Sequence, residues 1–162
     1  MACGGPEETK EESGDATSVE ETTTEDLSGM DELALDDFQL FGNIYLPNDK
    51  KPQVVTTDWG STEIRVGDYF GIEILSAGIS VEEFKTQLAE DLVYTIEYIE
   101  DSENLIIYSK SIQGSDIKPE VHFFMNYEGN GELFEIRSVA DESFTKPSIE
   151  KMVKSAKTFK LN

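Results

Sequence analysis

The feature that most constrains the fold is a period-two alternation of apolar and polar residues, which starts near Phe38 and is repeatedly interrupted by turn residues. Successive side chains of a strand point to opposite faces, so this alternation predicts strands with one buried face. Gly67-Asp68 and Asn130-Gly131 each separate two alternating runs, and Asn-Gly in that position is the strongest short-range hairpin signal. The predicted strands are centred on 44–46, 54–57, 62–66, 70–74, 94–98, 105–108, 121–127 and 133–139, with a short edge strand at 159–161.

Two segments have the 3.6-residue period of amphipathic helices instead. The first opens at Ser80, with Glu83 three residues later, which is the pattern of a capping box. The second follows Pro147 and carries lysines toward its C-terminal end, where the helix dipole favours cations. The apolar stripes are Val81, Phe84 and Leu88 in the first helix and Ile149, Met152, Val153 and Ala156 in the second. These elements predict an α+β fold, an antiparallel β-sheet packed by two main helices.

Residues 1–37 differ in composition from the rest of the chain. They contain thirteen acidic residues, a single basic residue (Lys10) and no aromatic residue. Such a segment cannot bury enough apolar surface to offset the entropy of ordering it, and its charges repel one another. We therefore predict a disordered acidic tether over residues 1–37, followed by one α+β domain over residues 38–162, with a helical turn at 31–35 as the only structure expected in the tether.

The order of these elements resembles the PsbP-like superfamily. The similar segments are Ile44-Tyr-Leu-Pro47, the strand Phe70-Gly-Ile-Glu-Ile74 and the C-terminal helix containing Ile149–Ser155. The superfamily includes an extrinsic protein of the photosystem oxygen-evolving complex, a nuclear factor that acts on the Ran GTPase and small bacterial proteins. The resemblance implies an α/β/α sandwich around an antiparallel sheet and an action through binding other proteins. It transfers no functional residue, and a cystatin-like or other antiparallel α+β fold is the alternative.

The only cysteine, Cys3, stands in Ala2-Cys3-Gly4-Gly5, which resembles the end of a bacterial lipobox. In that motif the cysteine becomes the lipidated first residue of the mature protein. The charged and apolar parts of a signal peptide are missing, so we interpret Met1 as a start placed on a trimmed chain. The acidic run after Cys3 also resembles surface-export signals of Bacteroidetes lipoproteins. We expect a lipoprotein of the bacterial envelope, held in the outer-membrane lipid bilayer through Cys3. The alternative is a cytosolic protein with an unmodified thiol.

Charge and composition argue against several classes of function. The formal net charge is −21, from 34 acidic and 13 basic residues, and no stretch is basic enough to neutralise phosphates. We therefore expect no nucleic-acid partner. One cysteine and one histidine cannot form a zinc set. The acidic clusters at 31–37 and 97–103 lack the alternating ligands and central glycine of an EF-hand. We expect no metal and no cofactor.

We also predict no catalytic residue. His122 would need an orienting carboxylate and a nucleophile within reach to act as a base, and the sequence nominates neither. Cys3 lies in the acidic segment, where nothing preorganises a nucleophile. An enzyme that acts through carboxylates alone stays open as an alternative.

The candidate binding residues are aromatic. Trp59, with Tyr45 and Tyr69 in nearby strands, could form an aromatic patch, since aromatic anchors are enriched in interface cores. The alternative is that all three side chains pack in the core. Arg65 and Arg137 could clamp a carboxylate, but in so acidic a chain we expect them to pair at the surface. We predict a monomeric, non-catalytic module that binds an unidentified protein. The alternative is a carrier or sensor with a small-ligand cleft between the sheet and the helices.

Overall fold

The computed structural model describes residues 25–162, which fold into ten strands and two helices arranged around antiparallel sheets. The predicted α+β fold is confirmed. In chain order the elements are β1 (Met30–Ala34), a 3₁₀ turn (Asp36–Phe38), β2 (Gly42–Pro47), β3 (Gln53–Thr56), β4 (Thr62–Val66), β5 (Phe70–Leu75), α1 (Val81–Glu90), β6 (Tyr94–Asp101), β7 (Leu105–Ile112), β8 (Glu120–Gly129), β9 (Glu132–Ser138), α2 (Lys146–Lys157) and β10 (Lys160–Leu161).

The larger sheet has seven antiparallel strands in the order β3-β4-β5-β9-β8-β7-β6. Its hairpins are those that the turn residues predict. Gly67 has a φ of +56° between β4 and β5. Asn130 and Gly131 have φ values of 54° and 78° between β8 and β9, and two consecutive positive values are what a tight two-residue hairpin turn requires. The turn chemistry therefore determines the register of the neighbouring strands.

A smaller sheet has the order β1-β2-β10. β1 pairs with β2 along its whole length, from Met30 opposite Pro47 to Ala34 opposite Asn43. On the other side of β2, the predicted short edge strand is present as β10, which adds two residue pairs. Leu35, directly after β1, is fully buried in the core.

The pairing of β1 corrects the predicted start of the domain. The folded part of the chain begins no later than Met30, so the boundary at residue 38 and the helical turn at 31–35 are wrong. The two adjacent acidic residues of β1 gave the segment the composition of a solvated charge run. A strand at the edge of a sheet is held by backbone pairing, however, and tolerates exposed acidic side chains. The rest of the predicted tether, residues 1–24, lies outside the described residues.

Both helices begin where their capping residues place them. Ser80 caps α1: its side chain accepts from the Glu83 N–H, and the Glu83 carboxylate accepts from the Ser80 N–H at 2.9 Å, which completes the capping box. Thr145 caps α2 by accepting from the Ser148 N–H, so that helix starts just before Pro147. Both predicted apolar stripes face a core.

The seven-stranded sheet carries a core on each face. α2 and the small sheet pack on one face, where Ile72, Phe123 and Ile149 are buried together. α1 packs on the other face over Ile106 and Phe124. The layers therefore run helix, sheet, helix, with the small sheet on the side of α2.

One row of paired residues crosses all seven strands on the α1 side. In order it contains Val55, Glu63, Glu73, Arg137, Phe124, Ile106 and Asp101. The last three lie on β8, β7 and β6 beneath α1, and we call this part of the face the covered half. In the part on β3, β4, β5 and β9, no helix among residues 25–162 covers this face. We call this part the open half, and we define it by Val55, Trp59, Glu63, Arg65, Glu73 and Arg137.

Candidate functional site

Trp59 is the most exposed aromatic side chain of the open half. It lies in the turn between β3 and β4, where the Gly60 N–H donates to the Thr57 carbonyl at 3.0 Å and Gly60 has a φ of +85°. Trp59 is 69% exposed. Its Nε1 donates to Oε1 of Glu73 at 2.7 Å. Because Nε1 is the only polar atom of the indole, this hydrogen bond holds an exposed aromatic ring in one orientation.

Glu73 is the buried centre of the open half. The residue is 5% exposed, yet each of its carboxylate oxygens has partners. Oε1 also accepts from Ser61 Oγ at 2.5 Å. Oε2 accepts from Arg137 Nε at 3.1 Å and forms an ion pair with Arg137 Nη2, which lies 3.0 Å away. Burial acts to raise the pKa of Glu73, but the hydrogen bonds from Ser61 and Trp59 and the charge of Arg137 outweigh it, so that the pKa lies below its ordinary value.

The other arginine of the chain is also paired. Arg65 contacts Glu63 on its own strand, Asp141 at 3.2 Å and Glu142 at 2.6 Å. The prediction that the arginines pair at the surface is confirmed for Arg65, but Arg137 pairs with two buried carboxylates, those of Glu73 and Glu135. The two guanidinium groups therefore reach the surface with their charges already compensated.

Tyr45 and Tyr69 do not join Trp59. Trp59 precedes β4 and Tyr69 follows it, so the two lie at opposite ends of that strand, and Tyr45 is on β2 in the other sheet. The Tyr69 hydroxyl donates to the Asp49 carboxylate, and Tyr69 packs against the core. Burial, and then Asp49, raise the pKa of Tyr69 to about 12. The three predicted binding residues therefore do not form one patch.

His122 has the two partners that the sequence did not nominate. Its Nδ1 lies 3.2 Å from Ser138 Oγ, and its Nε2 lies 3.2 Å from Glu120 Oε2. Ser138 Oγ also accepts from the backbone N–H of Phe123 at 3.2 Å, and both His122 and Ser138 are buried. Ser138 is 4% exposed and, with His122, lines a small depression beside α1. A serine nucleophile must be free to attack a substrate, and this hydroxyl is already in contact with His122 and with the Phe123 N–H. We interpret the chain Ser138–His122–Glu120 as a hydrogen-bond network that ties β8 to β9.

A depression of about 190 Å³ lies between α1 and the sheet, where the alternative function of a ligand carrier would place its cleft. Phe84, Leu88, Tyr108, His122 and Arg137 are among the residues that line it. Pockets for small molecules usually measure about 300–1,000 Å³. The depression beside α1 is therefore smaller than typical small-molecule sites, whereas two open depressions between α2 and the small sheet, of about 420 and 580 Å³, fall within that range.

Residues 25–162 contain no candidate metal site, because no group of three His, Cys, Asp or Glu side chains among them is arranged to hold a metal ion. No helix in the same range combines the length and the apolar character needed to cross a bilayer. Cys3, the predicted lipidation site, lies outside the described residues.

Comparison with protein-family models, with curated proteins and with solved structures finds no match for this chain. The resemblance to the PsbP-like superfamily stays a prediction.

Glu73 and Ser61 belong to this site although no sequence pattern nominates them. Glu73 alternates with Ile72 and Ile74, which places it on the polar face of β5, where a carboxylate is normally solvated. The sequence did contain a signal. Arginine and tryptophan are rare in this chain, which has two arginines and one tryptophan, and all three residues lie in or beside predicted strands. Their convergence depends on strand order, which the alternation pattern does not contain.

Proposed function

We propose that this protein is a lipid-anchored lipoprotein of the bacterial envelope whose α+β domain binds another protein through the open half and catalyses no reaction. The observation that carries the proposal is Trp59, which is 69% exposed and held by a hydrogen bond to the buried Glu73. An exposed indole that is fixed before binding is the kind of anchor on which protein interfaces depend.

The fixed indole lowers the cost of association. Ordering a mobile side chain at an interface costs about 0.5–1.5 kcal/mol, and Trp59 is already oriented by Glu73. Val55, which is 57% exposed and lies opposite Glu63 in the cross-strand row, adds an aliphatic surface on the same face. Together they supply the apolar centre of a contact patch.

The charged side chains around Trp59 are compatible with the exclusion of water from this surface on binding. A partner that covers Arg65 and Arg137 does not bury an unpaired charge, because both guanidinium groups are already paired with carboxylates of this chain. Arginine and aromatic residues are also the types enriched in interface cores. The open half thus combines an apolar anchor with a polar rim.

The membrane anchor is supported by the sequence. Cys3 is the only thiol, and seven acidic residues and one lysine occupy the rest of the segment up to residue 24. Bacterial lipoproteins carry several acyl chains on one cysteine, each contributing about 0.8 kcal/mol per buried CH₂, so neither an amphipathic helix nor a basic patch is required for stable anchoring.

The binding proposal is tested by site-specific photo-crosslinking in the native host. A photoreactive phenylalanine analogue replaces Val55 in one variant and Phe41 in a control, so that Trp59 itself stays in place. Val55 is 57% exposed and belongs to the open half, whereas Phe41 is 68% exposed and lies outside it. We expect one defined protein adduct from position 55 and none from position 41. With the adduct protein purified, Trp59→Ala should weaken binding by at least about 2 kcal/mol, which is roughly 30-fold.

Equal adducts at both positions, or an unchanged affinity for Trp59→Ala, would contradict a binding role of the open half. Retention of a small molecule by the purified protein, without a protein adduct, would favour the carrier alternative instead. The anchor is tested separately, by partition of the native full-length precursor into detergent. The native protein should enter the detergent phase and Cys3→Ser should not, whereas a free Cys3 thiol in the mass spectrum would remove the lipoprotein part of the proposal.

A further inference from the structure

The C-terminal part of the chain is basic in an otherwise acidic protein. Residues 143–162 contain five lysines and one acidic residue, Glu150, although the formal net charge of the chain is −21. Of these five lysines, Lys146 contacts Glu150, and the other four form no salt bridge with any of residues 25–162. We call these four residues the lysine face: Lys151, Lys154, Lys157 and Lys160.

Two depressions border the lysine face. The first, of about 420 Å³, is lined by Lys151, Lys154, Tyr69, Met30 and neighbouring loop residues. The second depression, of about 580 Å³, has Lys157, Lys160, Glu25, Leu27 and Glu32 among its lining residues. Glu25 is the first described residue, so the chain enters the described domain directly beside these lysines.

We propose that the acidic N-terminal segment, residues 7–21, binds the lysine face of its own domain. That segment has the complementary charge, with seven acidic residues and one lysine. Its acidic residues are Glu7, Glu8, Glu11, Glu12, Asp15, Glu20 and Glu21. Glu21 is four residues from Glu25, and four extended residues span at most about 14 Å, so the nearest acids are within reach of Lys157 and Lys160.

Covalent linkage favours this occupant over an external one. A segment joined by a short spacer is present at an effective concentration on the order of millimolar, which a free acidic peptide or a second copy of the chain does not reach at ordinary protein concentrations. The rest of the domain is acidic and repels the segment, but at about 0.15 M salt the Debye length is only about 8 Å. Contacts with adjacent lysines therefore persist while the repulsion from distant carboxylates is screened.

The helix dipole alone does not account for the lysine face. Cations in the last turn of α2 stabilise the helix, which explains Lys154 and Lys157. Lys160 lies beyond the helix in β10, and Lys151 is placed with its Nζ 5.0 Å from the ring centroid of Tyr69, at the border of the first depression. The inference does not depend on lipidation of Cys3 or on the binding role of the open half.

Zero-length carbodiimide crosslinking of the full chain, followed by peptide mass spectrometry, tests the proposal. We expect amide bonds from carboxylates of residues 7–21 to Lys151, Lys154, Lys157 and Lys160. Their yield should fall by about tenfold between low salt and 1 M salt, where the Debye length is about 3 Å. A mixture of ¹⁵N-labelled and unlabelled chains should give crosslinked peptides of a single isotope, as an intramolecular contact requires.

Two charge-matched variants provide the control. Changing the four residues of the lysine face to Gln should shift the ¹⁵N–¹H signals of residues 7–21. The control changes to Gln four other lysines that form no salt bridge with residues 25–162, namely Lys50, Lys51, Lys110 and Lys118. The control variant should leave the signals of residues 7–21 unshifted. If loss of the lysine face unfolds α2, changing the seven acids of residues 7–21 to their amides tests the same contact, since signals of α2 should then shift. Crosslinks spread evenly over both lysine sets, mixed-isotope crosslinks, or unshifted α2 signals would overturn the proposal.

Discussion

The two halves of the α1 side of the large sheet share one row of paired residues but are protected from water in different ways. In the covered half, Phe124 and Ile106 are fully buried beneath α1, and the Phe84 ring stacks on Phe124 with centroids 4.1 Å apart. In the open half, the buried residue at the corresponding place is the charged Glu73, which is enclosed by hydrogen bonds from its neighbours. Apolar burial stabilises one half, and the polar network leaves the other half accessible to a partner.

The largest expected effect is in the covered half. Phe124→Ala should lower the free energy of unfolding by about 3–5 kcal/mol, because it removes a fully buried ring and leaves a cavity under α1. Trp59→Ala in the open half should cost only about 0.5–1.5 kcal/mol, the value of one hydrogen bond, since Glu73 keeps Ser61 and Arg137 as partners. Urea unfolding of both variants measures the difference. Equal losses would show that the two halves do not differ in their contribution to stability.

An intermediate effect is expected when the charge of Glu73 is removed. Glu73→Gln should destabilise the domain by about 1–3 kcal/mol at pH 7, because it removes the nearer of the two buried carboxylates that pair with Arg137 and leaves only Glu135, at 3.6 Å. The pKa of Glu73 in the folded state lies below its ordinary value of about 4.3. The contribution of this carboxylate to the free energy of unfolding is therefore complete above about pH 4.3, and it is lost as the pH falls through the folded-state pKa.

The difference between wild type and Glu73→Gln should therefore narrow in urea unfolding experiments below about pH 4. Glu128→Gln, which alters an exposed carboxylate on β8, serves as the matched control and should stay within about 0.5 kcal/mol of wild type at both pH values. A Glu73→Gln deficit that is as large at pH 3 as at pH 7 would mean that the carboxylate charge does not stabilise the open half.

The smallest expected effect concerns the helix that distinguishes the halves. Ser80→Ala removes the N-cap of α1 and should cost about 1 kcal/mol. Amide hydrogen exchange should then accelerate in α1, while β4 in the open half keeps its protection. Acceleration of both to the same extent would indicate that the two halves open as one cooperative unit.

The elements of this fold could be predicted from the sequence because each has a local signal. Alternation locates the strands, the Asn-Gly turn aligns β8 with β9, and the Ser80 capping box marks the start of α1. β1 lacked such a signal, since its residues are mostly exposed and its stability comes from pairing with β2. Strand propensity alone does not reveal an edge strand whose partner lies elsewhere in the chain.

Less of the candidate site than of the fold could be predicted from the sequence. Trp59 was identified from its residue type, but its grouping with Tyr45 and Tyr69 was wrong because residues close in sequence lie at opposite ends of β4 or in different sheets. Glu73 and Arg137 are 64 residues apart and meet only because β5 and β9 are neighbours. Strand order arises from packing of the whole chain, and no local pattern reports it.

The position of β2 between β1 and β10 has a consequence for folding kinetics. The Tyr45 N–H donates to Thr158 Oγ1 at 2.8 Å across 113 residues of sequence, and a Cβ added to Gly42 would lie 2.6 Å from the Lys160 carbonyl oxygen, so the two segments are in close contact. Contacts between distant segments form slowly, because the loop entropy is lost before the contact stabilises the chain. We expect the β4–β5 and β8–β9 hairpins to form early and the small sheet to close last. Until it does, one edge of β2 stays unpaired, and in that interval the chain is most prone to pair with another copy of itself.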